Sequence, residues 1–121
     1  MKFIPNHSAI LVSDATASAA FYKEALGFEI SVVRRPKDTV CSVFVTTPEG
    51  EFFLQLLEMG TFSSELTGYG HFSVSVEDIH AAYEHHARIG CLAGNMMDLD
   101  YQLCYFIQDH DGYKTEIVQQ K

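Results

Sequence analysis

His7-Ser8-Ala9-Ile10-Leu11-Val12-Ser13-Asp14 and His71-Phe72-Ser73-Val74-Ser75-Val76-Glu77-Asp78 are one pattern written twice. In each, an alternating apolar run leads from a histidine to an aspartate seven residues on, the period of a strand with one buried face. Ile10 and Val12 share a face in the first copy, as do Phe72, Val74 and Val76 in the second, where the other face is His71, Ser73 and Ser75. Asp14 and Asp78 stand where helices begin, because a carboxylate there accepts from free N–H groups and meets the positive end of the helix dipole. Gly27 and Gly90 follow at 13 and 12 residues and end those helices, since glycine enters the left-handed region without a Cβ penalty. Between these bounds Ala17, Ala20, Phe21 and Ala25 mark an apolar face of the first helix, and Ile79, Ala82, Tyr83, His86 and Ile89 one of the second.

Three strand-like runs follow each helix, at about 28–34, 40–46 and 51–58 and again at 91–97, 101–107 and 113–119. Pro48-Glu49-Gly50 and Asp109-His110-Asp111-Gly112 supply turn chemistry before the last strand of each half. The unit is βαβββ, repeated over about 3–60 and 69–121. The expected fold is α+β: two paired βαβββ modules forming a cupped mixed sheet, with the helices on the outer face. Residues 1–121 are read as one domain whose cup would take a ligand.

Composition narrows the partners. Eight basic against sixteen acidic residues give a net charge of −8, which repels a phosphate backbone and argues against nucleic acid. No apolar run approaches the roughly 20 residues that span a bilayer, and Met1 to Asn6 lacks the apolar core of a signal peptide, so no membrane partner and a cytoplasmic location are expected. Cys41, Cys91 and Cys104 have no C-x-x-C spacing and sit in apolar surroundings, as reduced core cysteines do. His80, His85 and His86 do not form the i, i+4 pair that favours zinc, and are read as solvated, with His86 partly packed.

Three motifs now resemble a known family. Asp14-(x6)-Phe21-Tyr22-Lys23-Glu24-Ala25-Leu26-Gly27-Phe28, then Gly70-His71 with Val74-x-Val76-x-Asp78, then Asp109-His110-Asp111-Gly112-Tyr113-Lys114-x-Glu116 occur in the order found in the vicinal oxygen chelate superfamily. That fold is shared by glyoxalase I, extradiol dioxygenases and methylmalonyl-CoA epimerase. His110 replaces the proline usual in the last motif. The resemblance spans nearly the whole chain and places metal ligands on the first and last strands of each module, positions held here by His7, Gln55, His71 and Glu116. The repeat finds the same four, with 48 residues from His7 to Gln55 and 45 from His71 to Glu116. Two imidazoles and a carboxylate suit a divalent ion such as Ni, Co, Zn, Mn or Fe(II), with positions left for substrate oxygens. Taken singly, each is a commonplace polar strand residue, and Gln55 is the weakest donor; Glu58 is an alternative but points to the other strand face.

The resemblance implies several chemistries. Glyoxalase I-like lyase or isomerase activity on a small oxygen-rich substrate needs a carboxylate to take a proton beside a carbonyl, the role expected of Glu116. Gln55 stands where bacterial glyoxalase I carries a second glutamate. An epimerase needs an acid on the third strand, and residues 39–47 contain none. An extradiol-type Fe(II) dioxygenase needs only His7, His71 and Glu116 as ligands, with Tyr105 the available further residue. A fosfomycin-type transferase lacks its threonine two positions after the first histidine, where Ala9 stands. A metal-free small-molecule binding protein of the bleomycin-resistance kind is the alternative from another class, and such relatives characteristically lack the ligand set. Phe53, Phe62, Tyr69 and Met96 are candidate cup-lining residues, and relatives of this size imply a homodimer.

Overall fold

The computed structural model describes residues 1–2, 7–34, 41–51, 53–59 and 71–121. Phe62 and Tyr69 lie outside these residues, as does the side chain of Phe53. The chain divides into two compact units, Met1–Phe62 and Ser63–Lys121.

The first unit runs β1 (Ser8–Val12), α1 (Ala15–Leu26), β2 (Glu29–Arg34), β3 (Ser42–Thr46) and β4 (Phe53–Glu58). Its sheet has the order β1-β4-β3-β2, with β1 parallel to β4 and the other pairs antiparallel. The second unit runs β5 (His71–Ser75), α2 (Ile79–Ile89), β6 (Met97–Asp98), β7 (Gln102–Gln108) and β8 (Lys114–Gln120), in the order β5-β8-β7-β6 with β5 parallel to β8. Both are βαβββ modules with one mixed sheet, so the α+β class and the repeated module are as the sequence predicts.

Each sheet buries one face against its helix. In the first unit Val12, Val43, Val45, Leu54 and Leu56 are at most 2% exposed, and α1 turns Ala15, Ser18, Ala19, Tyr22 and Ala25 inward. This corrects the expected stripe, because Ala17 and Ala20 are exposed and Phe21 only half-buried. Tyr22 sets the phase: it is fully buried, with its ring 6.4 Å from Phe28 just beyond the helix. In the second unit Tyr105, Ile107, Thr115 and Ile117 meet the helix side, where Ile79 and His86 are buried.

The helix ends are built alike. Asp14 Oδ1 accepts from Ala17 N at 3.0 Å and Asp78 Oδ1 from Ala81 N at 3.1 Å, and Gly27 and Gly90 take φ of 70° and 77° at the C-caps. A second cap comes from the last strand of each module: Ala15 N donates to Glu58 Oε1 at 3.0 Å, and Ile79 N to Gln119 Oε1 at 2.8 Å. Two of the four free N–H groups at each helix start are thereby satisfied by side chains.

The strand expected over 91–97 is reduced to the two residues of β6. An isolated bridge joins Leu92 to Ile107, with Ala93 N donating to Phe106 O and Gln108 N to Cys91 O, and Gly94 at φ 106° then breaks the run. Pairing resumes only at Met97 with Cys104. Glycine alone takes that backbone conformation readily, so the sequence pattern of a strand is overridden at one residue. Among the described residues no helix is long and apolar enough to cross a membrane.

Candidate metal half-sites

The sheet face away from each helix carries the four expected donors, two per unit. In the second unit Ser73 pairs with Glu116, and His71, two residues before Ser73, falls on the same face. Its Nε2 is 3.9 Å from Glu116 Oε1; the side chains are 43% and 19% exposed, which leaves both open to a ligand. In the first unit Ala9 pairs with Gln55, and His7 stands two residues before Ala9, the same relation. The topology places a histidine and an oxygen donor together in each module because first and last strands are parallel neighbours.

Two phenylalanines complete the correspondence. Phe44 pairs with Gln55 and meets the His7 ring edge-on at 5.2 Å; Phe106 pairs with Glu116 and meets the His71 ring edge-on at 5.1 Å. Each ring restricts its imidazole, a contact worth about 0.5–1.5 kcal/mol beyond area burial. The signal for these residues was in the sequence, but only as cross-strand partners of the donors, which requires the antiparallel register. Gln55 differs from Glu116 in being tethered: its Nε2 donates to Ser42 Oγ at 3.2 Å. That bond engages the amide nitrogen and leaves the carbonyl oxygen as the donor a cation would use.

The spacing of His71 and Glu116 fits a divalent ion. Cis donors at about 2.1 Å from a metal stand roughly 3.0–3.5 Å apart, so a rotamer adjustment of less than about 1 Å suffices. Among the described residues no group of three or more His, Cys, Asp or Glu side chains is gathered, so each unit presents a pair.

Other expected residues fall elsewhere. Glu58 is engaged at the start of α1 on the helix side and is no substitute for Gln55. Tyr105 is fully buried on the helix-facing side of β7, opposite Phe106, and shares a 2.7 Å hydrogen bond with His86 Nδ1. The dioxygenase reading therefore loses the residue it had in hand. His86 is 3% exposed, a core histidine rather than a partly packed one, while His80 is exposed and His85 half-buried. Cys91 and Cys104 are buried and Cys41 half-buried. Met96 is half-buried.

The family model of the Glyoxalase/Bleomycin resistance protein/Dioxygenase superfamily matches residues 4–117. The chain belongs to this superfamily. A lactoylglutathione lyase of Neisseria meningitidis is 30% identical over 95% of this chain and 89% of its own length. The glyoxalase family protein of Enterococcus faecalis has a crystal structure with a TM-score of 0.77 at 25% identity, covering 93% of this chain and 94% of that one. A variant of the fosfomycin resistance protein FosX from Listeria monocytogenes, crystallised with Mn(II) and 1S,2S-dihydroxypropylphosphonic acid, shares the fold with a TM-score of 0.79 at 13% identity, covering 100% and 95%. Metal use is thus present within the fold, and its members act on small molecules.

Proposed function

We propose that this superfamily member is a divalent-metal-dependent lyase or isomerase of the glyoxalase I-like type, acting on a small oxygen-rich substrate, with Glu116 as its proton acceptor. The observation that carries the reading is the open His71–Glu116 pair, 3.9 Å apart beside Phe106, matched in the other module by His7, Gln55 and Phe44. The lactoylglutathione lyase relatives support the reaction class, and the Mn(II) complex of FosX supports the kind of ion.

His7, Gln55, His71 and Glu116 are the proposed metal donors. A bound Ni, Co, Zn, Mn or Fe(II) ion would supply Lewis acidity that polarises a substrate carbonyl and acidifies the neighbouring C–H. The protein's share is positional. Phe106 holds the imidazole of His71, while β8 fixes Glu116 on the same face, so a substrate carbon brought there meets a carboxylate ready to accept its proton. Glu116 can return that proton to an adjacent carbon, and one such base is enough for an isomerisation. Gln55 is neutral, which preserves the charge of the ion and removes a second base, so two-base epimerisation is disfavoured. In this reading the protein works as a homodimer in the cytoplasm.

The test is to load metal-free protein separately with Ni, Co, Zn, Mn and Fe(II), and then to assay methylglyoxal with glutathione alongside catechols under air. Turnover of the hemithioacetal with at least one ion, lost in Glu116→Gln, is the expected result. Catechol turnover with Fe(II) alone would move the assignment to a dioxygenase. A fully metallated sample that turns over neither would move it to a binding protein.

A further inference from the structure

Strand β2 is the outer edge of the first sheet, and all six of its residues are exposed. Ile30 and Val33 are 50% and 51% exposed. The second unit fills the same topological edge with β6, only two residues long after the break at Gly94. Edge strands are commonly shortened or charged because their unpaired N–H and C=O groups recruit another strand. One module follows that rule, and the other keeps a long apolar edge.

The sequence of that edge, Glu29-Ile30-Ser31-Val32-Val33-Arg34, is complementary to itself when turned antiparallel. Glu29 meets Arg34, and Ile30 meets Val33, twice each about a two-fold axis. The faces agree as well. Glu29 and Arg34 pair with Thr46 and Ser42 of β3, on the side of Phe44, while Ile30 and Val33 pair with Val45 and Val43 on the helix side. In an unbroken strand residues 29 and 34 would point to opposite faces, and a two-fold axis normal to the sheet could not set them against each other. The register shift between Ile30 and Val32 removes that conflict. The Arg34 guanidinium, 5.5 Å from the centre of the Phe44 ring, is held on the face where the carboxylate would meet it.

We propose that β2 is the surface that joins two copies of this chain, pairing antiparallel with β2 of a second copy in the register that sets Glu29 against Arg34. This rests on the homodimer reading and names its interface. The pairing is isologous, so each contact occurs twice and closes the assembly at two chains. Ile30 and Val33 of both copies form one apolar patch on the helix side, flanked on the other face by two ion pairs.

Sedimentation equilibrium on the full chain tests it, with circular dichroism confirming the fold of each variant. Wild type is expected to be a dimer, and Val33→Lys a monomer at the same micromolar concentration. Glu29→Arg and Arg34→Glu should each weaken association about tenfold, because two cross-strand attractions become repulsions. The double variant Glu29→Arg/Arg34→Glu should restore it to within about threefold of wild type. A monomeric wild type overturns the homodimer reading and this interface with it. A wild-type dimer whose mass is untouched by Val33→Lys, or single reversals that the double variant fails to rescue, overturns this interface alone.

Discussion

Nε2 of His71 lies 3.9 Å from Oε1 of Glu116 across the parallel β5–β8 pair, and the ring of Phe106 stands edge-on to the same imidazole. Two unlike polar side chains, each from a different strand, are thus brought together by the strand order of the module. In the proposed ligand set a histidine and the one carboxylate would be the principal donors, while a neutral amide would contribute less.

Metal content should follow that ranking. The His71→Ala/Glu116→Ala variant is expected to retain less than about a tenth of the wild-type metal after dialysis, whereas Gln55→Ala keeps most of it, with water replacing the amide oxygen. Elemental analysis of protein purified without a His tag measures both. Equal metal in wild type and the double variant would remove the site.

Phe106 should matter to metal affinity without touching the metal. Outer contacts that orient a ligand are commonly worth 10–100-fold in affinity, and an edge-on ring belongs to the weaker end of that range. Phe106→Leu is therefore expected to weaken binding about tenfold while leaving the thermal midpoint within a few degrees, because the residue is only half-buried. Competitive titration with a chromophoric chelator reads the change. An unaltered affinity would mean that β5 alone fixes the imidazole.

Much of this arrangement was legible in the sequence because the module is repeated. The seven-residue spacing from His7 to Asp14 and from His71 to Asp78 located both first strands and both helix starts, whereas the parallel pairing of first with last strand, which sets His71 beside Glu116, came from the structure. What stayed hidden depended on tertiary register. Phe44 and Phe106 look like ordinary strand residues until they are seen across from Gln55 and Glu116. The α1 stripe was misread because alanine fills both faces of that helix and carries almost no signal, leaving Tyr22 to set the phase. His86 was undervalued because a histidine on an apolar stripe can be buried once a partner exists, and Tyr105 comes from a strand 19 residues away.

Glu58 and Gln119 supply the same bond to the first N–H of α1 and α2 with different chemistry. The shared requirement is an acceptor of the right length, so Glu58→Gln should cost no more than about 0.5 kcal/mol, the part owed to the helix dipole at a partly exposed site. Glu58→Ala leaves Ala15 N without its cap and should cost about 1 kcal/mol. Urea denaturation separates the two. Equal losses for both variants would show that charge, and not the hydrogen bond, holds the strand end to the helix.

Tyr105 should make the fold sensitive to alkali. Burial, aided by the neighbouring Cys91 and Tyr83, pushes its hydroxyl well above the ordinary value of 10.0. In the unfolded chain the phenol releases its proton near pH 10, while in the folded protein it keeps the proton and the 2.7 Å bond with His86. Above that pH the unfolded state binds fewer protons than the native state, so stability must fall as pH rises; below it the two states are equally protonated at this group and its contribution is constant. Tyr105→Phe removes the titration but leaves His86 Nδ1 in the core without that partner, at a cost of about 1–3 kcal/mol at neutral pH. The expected result is a wild type more stable than the variant at pH 7, with the gap narrowing from about pH 10 upward, and with metal content unchanged because Tyr105 faces the helix. A gap that stays constant between pH 8 and 11, followed by urea denaturation, would show that the hydroxyl does not carry this linkage.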